Sequence, residues 1–139
     1  MAYFKDADEV YKYIGRLFEQ LAEDEELAPK FRKANTIVQY KYRDPESQIT
    51  VRLQEGQDGQ VDCGETTMEP EVVMTMDADL AHRFWLGEAN VTTALARGQL
   101  RAVGPVTKVL KLLPDIQPIF PRYRALLEED KREDLLEAA

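Results

Sequence analysis

The sequence predicts an α+β fold: a five-stranded, mainly antiparallel sheet with helices packed on one face. Three observations lead to this class. Apolar residues recur at helical spacing near the start of the chain, at alternate positions from Thr36 to Met76, and at helical spacing again after Asp77. The length of 139 residues is close to the commonest size of one domain. We therefore expect a single domain over residues 1–139.

A capping pattern opens the first predicted helix. Asp6 is followed three residues later by Glu9, which is the arrangement of a capping box. The apolar residues that follow share one helix face and are Val10, Ile14, Leu17, Phe18 and Leu21. We expect this amphipathic helix to span residues 6–27, with a short helical turn through Leu27 and Phe31 after it.

Alternating apolar and polar residues replace the helical spacing from Thr36 onward. The first two strands form a hairpin around residues 44–47, and their apolar positions are Val38, Tyr40, Tyr42, Ile49, Val51 and Leu53. Val61 and Cys63 continue the alternation in a third strand, and residues 71–76 form a fourth. We expect these four strands to form an antiparallel meander, with the polar faces of the first two strands in contact with water.

Caps and glycines delimit the elements after the fourth strand. Asp77 and Asn90 are suited to the N-caps of two short helices, which stop at Gly87 and Gly98. Leu100 then begins a short fifth strand that is free to pair elsewhere on the sheet.

The last part of the chain is apolar and helical, but prolines interrupt it. Pro114 breaks a helical segment that begins at Val106. We expect a C-terminal helix over residues 115–130, with Pro118 and Pro121 in first-turn positions. The charged tail after it is expected to fray.

Charge and composition exclude several classes of partner. The formal net charge of −8 opposes attraction to nucleic acids and to anionic membranes. No apolar run reaches the roughly 18 residues that a membrane-spanning helix needs, and the first residues lack a basic segment followed by an apolar one. A single cysteine, Cys63, cannot form an internal disulfide. We expect a cytoplasmic protein without nucleic acid partners and without stable membrane insertion.

A series of short motifs follows in the second half of the chain. Residues 72–77 have the order Val-x-Met-x-Met-Asp, Gly87 and Asn90 form Gly-x-x-Asn, and residues 98–104 form Gly-x-Leu-x-x-x-Gly. In this order and spacing, the motifs resemble the sterol carrier protein type 2 family. With the upstream hairpins, the resemblance covers about residues 35–113.

The resemblance implies an apolar tunnel between sheet and helices, used for sterols, fatty acyl chains or their coenzyme A esters. Trp85 would either narrow this tunnel or form part of its wall. Periodicity alone favours ordinary core packing for the same side chains, and it is the resemblance that favours a cavity. The candidate ligand-binding residues are Met74, Met76, Leu80, Phe84, Trp85, Val91, Leu95, Val103, Val106, Val109, Leu110, Leu113, Ile119 and Phe120.

Basic residues are concentrated after Leu80 and offer two interpretations. They are suited to a tunnel mouth that attracts a carboxylate, a phosphate or coenzyme A, or to solvated helix faces. These residues are Arg97, Arg101, Lys108, Lys111, Arg122 and Arg124.

The sequence offers few groups for catalysis. It contains no phosphate loop, no Gly-x-Ser-x-Gly and no Cys-x-x-Cys, and its acidic pairs have no histidine beside them. We expect His82 to be exposed or paired with Asp79, and Cys63 to be a buried, inert thiol. No enzyme activity, cofactor or metal is therefore expected.

Three functions remain open at this point. The first is an intracellular carrier of a hydrophobic small molecule or lipid. The second is an accessory subunit that docks an enzyme or forms a homodimer, with a filled interior and an exposed apolar patch around Tyr123, Leu126 and Leu127. The third is a small enzyme, which requires His82 and an acidic neighbour to line the pocket.

Overall fold

Five strands form one sheet in the order β3-β2-β1-β4-β5 in the computed structural model, which describes residues 2–137. The strands are β1 (Thr36–Arg43), β2 (Ser47–Leu53), β3 (Gln60–Cys63), β4 (Val72–Asp77) and β5 (Leu100–Val103). All neighbouring strands pair antiparallel except β1 and β4, which pair in parallel. The predicted α+β class with a five-stranded, mainly antiparallel sheet is confirmed.

The place of β4 differs from the predicted meander. Because β4 lies beside β1 and runs parallel to it, the chain crosses β2 and β1 after leaving the edge strand β3. Residues 64–71 make this crossing on the outer face, where Thr66 Oγ1 donates a hydrogen bond to Asp62 Oδ2 at 2.7 Å. The meander prediction is wrong because alternation identifies a strand without specifying its neighbour.

The crossing segment also explains two buried polar residues on the outer face. Gln39 Nε2 donates to Thr50 Oγ1 at 3.1 Å, and both residues are buried. By register, Thr50 lies opposite Asp62, to which the crossing segment is bonded. The expectation that this face contacts water is therefore wrong at Gln39 and Thr50, although Lys41 is exposed.

Helices cover the other, inner face of the sheet. A π-helical turn (Tyr11–Gly15) joins the first two segments into one continuous helix over residues 7–23, called the N-terminal helix below. A 3₁₀ turn (Leu113–Asp115) precedes the C-terminal helices. The α-helices are α1 (Ala7–Val10), α2 (Arg16–Glu23), α3 (Leu27–Arg32), α4 (Ala78–Trp85), α5 (Val91–Ala96), α6 (Thr107–Leu110), α7 (Ile119–Glu129) and α8 (Glu133–Leu136).

Side-chain caps determine where the first helices begin and end. Asp6 Oδ1 accepts from the Glu9 backbone N–H at 3.0 Å, as the capping pattern predicts. The N-terminal helix ends at Glu23, before the predicted residue 27. It ends there because Asp24 takes up extended backbone and accepts from the Leu27 N–H at 2.8 Å, which caps α3.

The two central helices also follow their predicted limits. Asn90 Oδ1 accepts from the Thr93 N–H at 3.0 Å and caps α5. Asp77 occupies the N-cap position of α4, but its carboxylate pairs with Arg43 Nε at 3.2 Å instead of capping the helix. Gly87, with φ of 85°, ends α4 in the left-handed conformation that glycine adopts at little cost.

The C-terminal helix begins later than the sequence predicts, and the tail after it is better packed than expected. The helix expected over residues 115–130 starts at Ile119, because the 3₁₀ turn precedes it and Pro118 is its N-cap. The tail does not fray within the described residues. It forms α8, in which Leu135 is only 1% exposed.

Candidate functional site

An apolar cavity of about 130 Å³ lies between the inner face of the sheet and the helices. Side chains from α2, α3, α4, α5, α6 and α7 line it on one side, and side chains from β1, β2, β4 and β5 on the other. For scale, a cavity of about 150 Å³ lined by Leu, Ile and Phe stays dry and binds benzene. The space therefore holds a small apolar group as it stands, and a longer chain requires side chains to move.

Aromatic rings form much of the wall and connect its layers. The Phe18 ring on α2 lies 5.2 Å from Tyr40 on β1 and 5.5 Å from Trp85 on α4. The Phe84 ring lies 4.9 Å from Trp85 in an edge-to-face arrangement. Trp85 is 8% exposed and is part of the wall.

Two methionines form the floor of the cavity on β4. Met74 and Met76 point to the inner face, paired in register with Tyr40 and Tyr42 on β1, and both are buried. An unbranched thioether side chain adapts its shape at low cost. This part of the wall can therefore adjust to occupants of different shape.

Most of the residues proposed from sequence are brought together around this space. Those that line it are Met74, Met76, Leu80, Phe84, Trp85, Val91, Val109, Leu110, Leu113 and Ile119. These residues come from β4, α4, α5, α6, the 3₁₀ turn and the start of α7, so the fold gathers them from several separate elements.

Leu95, Val103, Val106 and Phe120 do not line the cavity. Val103 pairs with Val73, faces the outer side of the sheet and is 70% exposed. The expectation that Val103 faces the cavity is therefore wrong. Side chains alternate between the two faces of a strand, and Val103 lies on the face opposite that of its neighbour Ala102.

The other three residues pack elsewhere against the core. On α5 the cavity is lined by Val91 and Ala94, so Leu95 lies on an adjacent face of the helix. Val106 precedes α6 at its N-cap position. The Phe120 ring packs 6.1 Å from Phe84 and lies over Gly87.

Sequence reasoning missed the wall formed by the first third of the chain. The missed side chains include Phe18, Leu21, Ala28, Phe31, Arg32, Tyr40, Tyr42, Val51 and Leu53. Most of them lie on the apolar faces predicted for the first helices and the first two strands, which the sequence does not mark as part of a ligand site. The same apolar periodicity describes a packed core and a cavity wall, so only the spacing between the layers separates the two.

Two polar atoms in the cavity wall have no hydrogen-bond partner within residues 2–137. These buried atoms are Tyr42 Oη and Arg32 Nε. One other buried side-chain atom, Asp130 Oδ2, also lacks a hydrogen bond, but it lies 3.5 Å from Lys12 Nζ in an ion pair. The two buried side-chain polar atoms left without any partner among the described residues therefore both belong to residues of the cavity wall.

Burial keeps the two tyrosines of β1 in the neutral form. It raises the pKa of Tyr40 to about 12. Burial, and then the neighbouring Tyr40, Tyr123 and Cys63, raise the pKa of Tyr42 well above its ordinary value. Both phenols consequently remain hydrogen-bond donors at physiological pH.

The six basic residues proposed for a tunnel mouth do not converge on the cavity, and none of them lines it. Lys108 Nζ pairs with Glu71 at 2.9 Å, and Arg122 pairs with Asp24. Arg124 lies 3.6 Å from Glu88 Oε1. The exposed positions are Arg97, Arg101 and Lys111. The basic side chains at the cavity are instead Arg32 and Arg52.

His82 lies outside the cavity and is fully buried, so the expectation of an exposed residue or of an ion pair with Asp79 is wrong. Its Nε2 lies 2.8 Å from the Leu135 carbonyl and its Nδ1 lies 2.7 Å from Tyr123 Oη. Because a carbonyl only accepts, Nε2 carries the proton and Nδ1 accepts from the tyrosine. Asp79 Oδ1 accepts from the Tyr3 N–H at 2.9 Å.

Burial is the main cause of the pKa shifts of His82 and Cys63. Burial lowers the pKa of His82, although the Leu135 hydrogen bond and nearby Asp79 act in the opposite direction. Burial raises the pKa of the Cys63 thiol to about 11, with a further increase from Glu19 and Asp62. Cys63 is half-buried and its thiol is protonated at neutral pH.

Residues 2–137 contain neither a metal-binding group nor a membrane-spanning helix. No group of three or more His, Cys, Asp or Glu side chains is placed to hold a metal ion there. In the same part of the chain, no helix combines the length and the apolar composition that crossing a membrane requires.

Comparison with known families decides the classification. A model described as the SCP-2 sterol transfer family matches residues 14–114. The chain belongs to this family. The match starts within the N-terminal helix and ends in the 3₁₀ turn before α7, so it includes most of the cavity wall.

Solved structures of sterol carrier proteins share the fold. The sterol carrier protein domain 2 of Helicoverpa armigera is 24% identical, with a TM-score of 0.62 over 81% of this chain and 87% of that one. Sterol carrier protein 2 from Yarrowia lipolytica, in its apo form, is 21% identical, with a TM-score of 0.58 over 68% and 80%. Sterol carrier protein 2 from Aedes aegypti, solved in complex with palmitate, is 18% identical, with a TM-score of 0.53 over 81% and 96%. No curated protein sequence matches significantly.

The same fold also occurs within larger proteins. The sec-alkylsulfatase Pisa1 from Pseudomonas sp. is 14% identical, with a TM-score of 0.52 over 60% of this chain and 13% of that one. A domain of this kind therefore exists both on its own and as a small part of an enzyme chain.

The comparisons and the structure also bear on the second and third functions proposed from sequence. Tyr123, Leu126 and Leu127, the expected docking patch, are all buried at 3% exposure or less. The patch prediction is wrong because α7 packs these side chains into the core. His82 does not line the cavity, so the condition set for the enzyme interpretation is not met.

Proposed function

We propose that this protein binds a hydrophobic ligand in the cavity and carries it without changing it chemically. The single observation that carries the proposal is the apolar space of about 130 Å³ that the protein atoms leave between sheet and helices. Protein interiors are normally packed with few voids larger than a water molecule. Membership in a sterol transfer family and the palmitate complex of the Aedes aegypti protein support the same function.

Binding a long ligand requires the cavity to open further. The flexible Met74 and Met76 on the floor and the Phe84 and Trp85 rings on the opposite wall can rotate to provide space. Burying about 15 methylenes offers about 12 kcal/mol, and an association cost of at least about 4 kcal/mol leaves at most about 8 kcal/mol. This corresponds to a dissociation constant of at least about 1 μM, weak enough for release to an acceptor.

Among hydrophobic ligands, Arg32 favours one with an anionic end. It lines the cavity and takes part in no hydrogen bond or ion pair with the residues that the structure describes. By contrast, Arg52 donates to the Asp58 carbonyl at 2.9 Å. A carboxylate is a natural partner for an unpaired guanidinium. A fatty acid fits both the apolar wall and this charge.

We also propose that the protein is not an enzyme, because no activated group lies at the cavity among residues 2–137. Both ring nitrogens of His82 are already engaged, with Tyr123 and with the Leu135 carbonyl. The thiol of Cys63 is protonated at neutral pH. General-base or nucleophilic catalysis requires such a group within reach of the substrate.

The experiment that tests the function uses Trp85, the one tryptophan of the chain, as a reporter inside the wall. Adding palmitate should change its fluorescence in a saturable manner with a dissociation constant in the micromolar range. Ala94→Phe should abolish this change, because Ala94 is 3% exposed and lines the cavity. Ala96→Phe on the same helix is the matched control, since Ala96 is exposed and outside the cavity. Equal binding by both variants would contradict the proposal.

An accessory role beside an enzyme is the second candidate, and one observation favours it. A domain of the same fold occupies 13% of the Pisa1 sulfatase chain. In this role the cavity would not exchange ligands, and the protein would co-purify with a partner while giving no fluorescence response to palmitate. A saturable response that Ala94→Phe removes favours the carrier function instead.

A further inference from the structure

We propose that the ligand carries a neutral oxygen, a hydroxyl or carbonyl group, that forms a hydrogen bond with Tyr42 Oη inside the cavity. This inference rests on the proposed function, and it specifies the ligand further than an apolar chain with an anionic end.

The position of Tyr42 is fixed by the sheet. It is 3% exposed, faces the inner side of β1 and pairs in register with Met76 on β4. Its ring is stacked on Tyr40, with centroids 6.3 Å apart and planes inclined by 12°. Side chains on a strand stand roughly perpendicular to the sheet. The Tyr42 hydroxyl is therefore held in the space between sheet and helices, where Tyr42 lines the cavity.

The hydroxyl of Tyr42 lacks a partner among residues 2–137, whereas three other tyrosine hydroxyls packed in or against the core have one. Tyr123 Oη bonds to His82 at 2.7 Å. Tyr13 Oη accepts from Arg132 Nη1 at 3.1 Å, and Tyr11 Oη accepts from the Gln48 N–H at 3.2 Å. Buried polar groups in folded proteins nearly always have a hydrogen-bond partner, and an exception calls for an explanation. A ligand atom that enters the cavity supplies the missing partner.

The surroundings of Tyr42 favour a neutral oxygen over a charged one. The ionisable groups that act on it are Tyr40, Tyr123 and Cys63, all uncharged at neutral pH. An anion placed beside them would be buried without a cation, which is strongly unfavourable. The unpaired cation of the wall is Arg32 on α3. Arg32 thus suits the anionic end of a ligand, and Tyr42 suits a neutral oxygen elsewhere on it.

Two sources supply this chemistry, a hydroxyl on a fatty acid chain and the hydroxyl of a sterol. The test measures the affinities of palmitate, 16-hydroxypalmitate, 12-hydroxypalmitate and cholesterol for the wild type and for Tyr42→Phe. We expect at least one oxygen-bearing ligand to bind Tyr42→Phe about tenfold more weakly, the effect of one lost hydrogen bond. Palmitate should change less than twofold. The ligand that shows the loss identifies the source.

Tyr3→Phe is the matched control, because Tyr3 lies outside the cavity and its ring packs 5.1 Å from His82. It should leave the ratio of hydroxylated ligand to palmitate unchanged. Tyr42→Phe should fold, with a melting temperature equal to or above that of the wild type, because no hydrogen bond is removed within the protein. A lower melting temperature would mean that the hydroxyl has an internal partner, and would overturn the inference.

The inference and the proposed function fail in different ways. If palmitate binds and no oxygen-bearing ligand loses affinity in Tyr42→Phe, the inference is wrong and the carrier function stands. If none of the four ligands binds the wild type, both are wrong.

Discussion

Two regions on the same face of the sheet are built from similar residues but packed in opposite ways. The packed region joins the first half of the N-terminal helix to α4, α7 and α8, and its buried residues include Tyr13, Ile14, His82, Tyr123, Leu127 and Leu135, all 0–1% exposed. The cavity region joins α2, α3, α5 and α6 to the floor of the sheet, and its residues include Phe18, Leu21, Arg32, Tyr42, Met76 and Ala94.

The two regions differ most clearly in whether their buried polar atoms have hydrogen-bond partners. In the packed region, His82, Tyr123 and the Leu135 carbonyl form one continuous hydrogen-bonded chain. In the cavity region, Tyr42 Oη and Arg32 Nε have no partner among the described residues. One region maintains the fold, and the other keeps space and hydrogen-bonding capacity available for a ligand.

The largest expected difference between the regions comes from the same truncation made in each. Leu127→Ala should lower the free energy of unfolding by about 4 to 5 kcal/mol, the upper end for such changes, because Leu127 is 0% exposed and tightly surrounded. Leu21→Ala should cost only about 2 to 3 kcal/mol, since Leu21 already borders empty space. Urea denaturation measures both. Equal losses would mean that the two regions are equally well packed.

The next largest effect is stabilisation by a ligand. Palmitate at about 100 times its dissociation constant should raise the free energy of unfolding by about 2.7 kcal/mol. The gain should persist in Ala96→Phe and disappear in Ala94→Phe, which differ in whether the new ring enters the cavity. Thermal melts with and without palmitate provide the measurement. Stabilisation of Ala94→Phe would place the ligand outside the cavity.

Removing a tyrosine hydroxyl should have opposite effects in the two regions. Tyr123→Phe leaves His82 Nδ1 without a donor, and should destabilise the protein by about 1 to 3 kcal/mol. Tyr42→Phe removes a hydroxyl that has no partner, and should leave stability unchanged or raise it. Parallel urea titrations compare the pair. A loss of stability in both variants would contradict the difference in hydrogen bonding between the two tyrosine hydroxyls.

The smallest expected effect is a dependence of stability on pH, which arises from His82 in the packed region. Because burial lowers the pKa of His82 below its ordinary value of 6.5, the unfolded chain binds a proton more readily than the folded protein. The contribution of neutral His82 to the free energy of unfolding should therefore be fully present above about pH 6.5, and it should decrease as the pH drops below this value. His82→Gln should lose this dependence. Carboxyl groups with lowered pKa, such as Glu9 and Asp134, act only at lower pH, below the ordinary values of 4.5 and 3.8.

The sequence predicts the local elements well because their signals are local. Asp6 and Asn90 cap helices as expected, Gly87 ends one, and the strand alternation places Tyr42 and Met76 on the same face. The pairing of β4 with β1 depends instead on the path of residues 64–71 across the outer face of the sheet. The apolar periodicity of the sequence does not predict this path. The placing of α8 is likewise a tertiary effect, since Leu135 is buried within a charged tail.

The candidate site could be predicted only in part for a related physical reason. The apolar residues of β4 and α4 to α7 were identified, but no sequence pattern distinguishes a wall residue from a core residue. The roles inferred here for Arg32 and Tyr42 depend on the absence of partners around them. That absence becomes visible only when the neighbours of each side chain are known.

The most direct test of the cavity as the ligand site uses the methyl groups of methionine. In deuterated protein with ¹³C-labelled methionine methyl groups, bound palmitate should give nuclear Overhauser contacts to Met74 and Met76, which line the cavity. Met68 on the crossing segment should give none, since it does not line the cavity. Contacts to Met68 alone, or bound palmitate without contact to Met74 and Met76, would contradict the account.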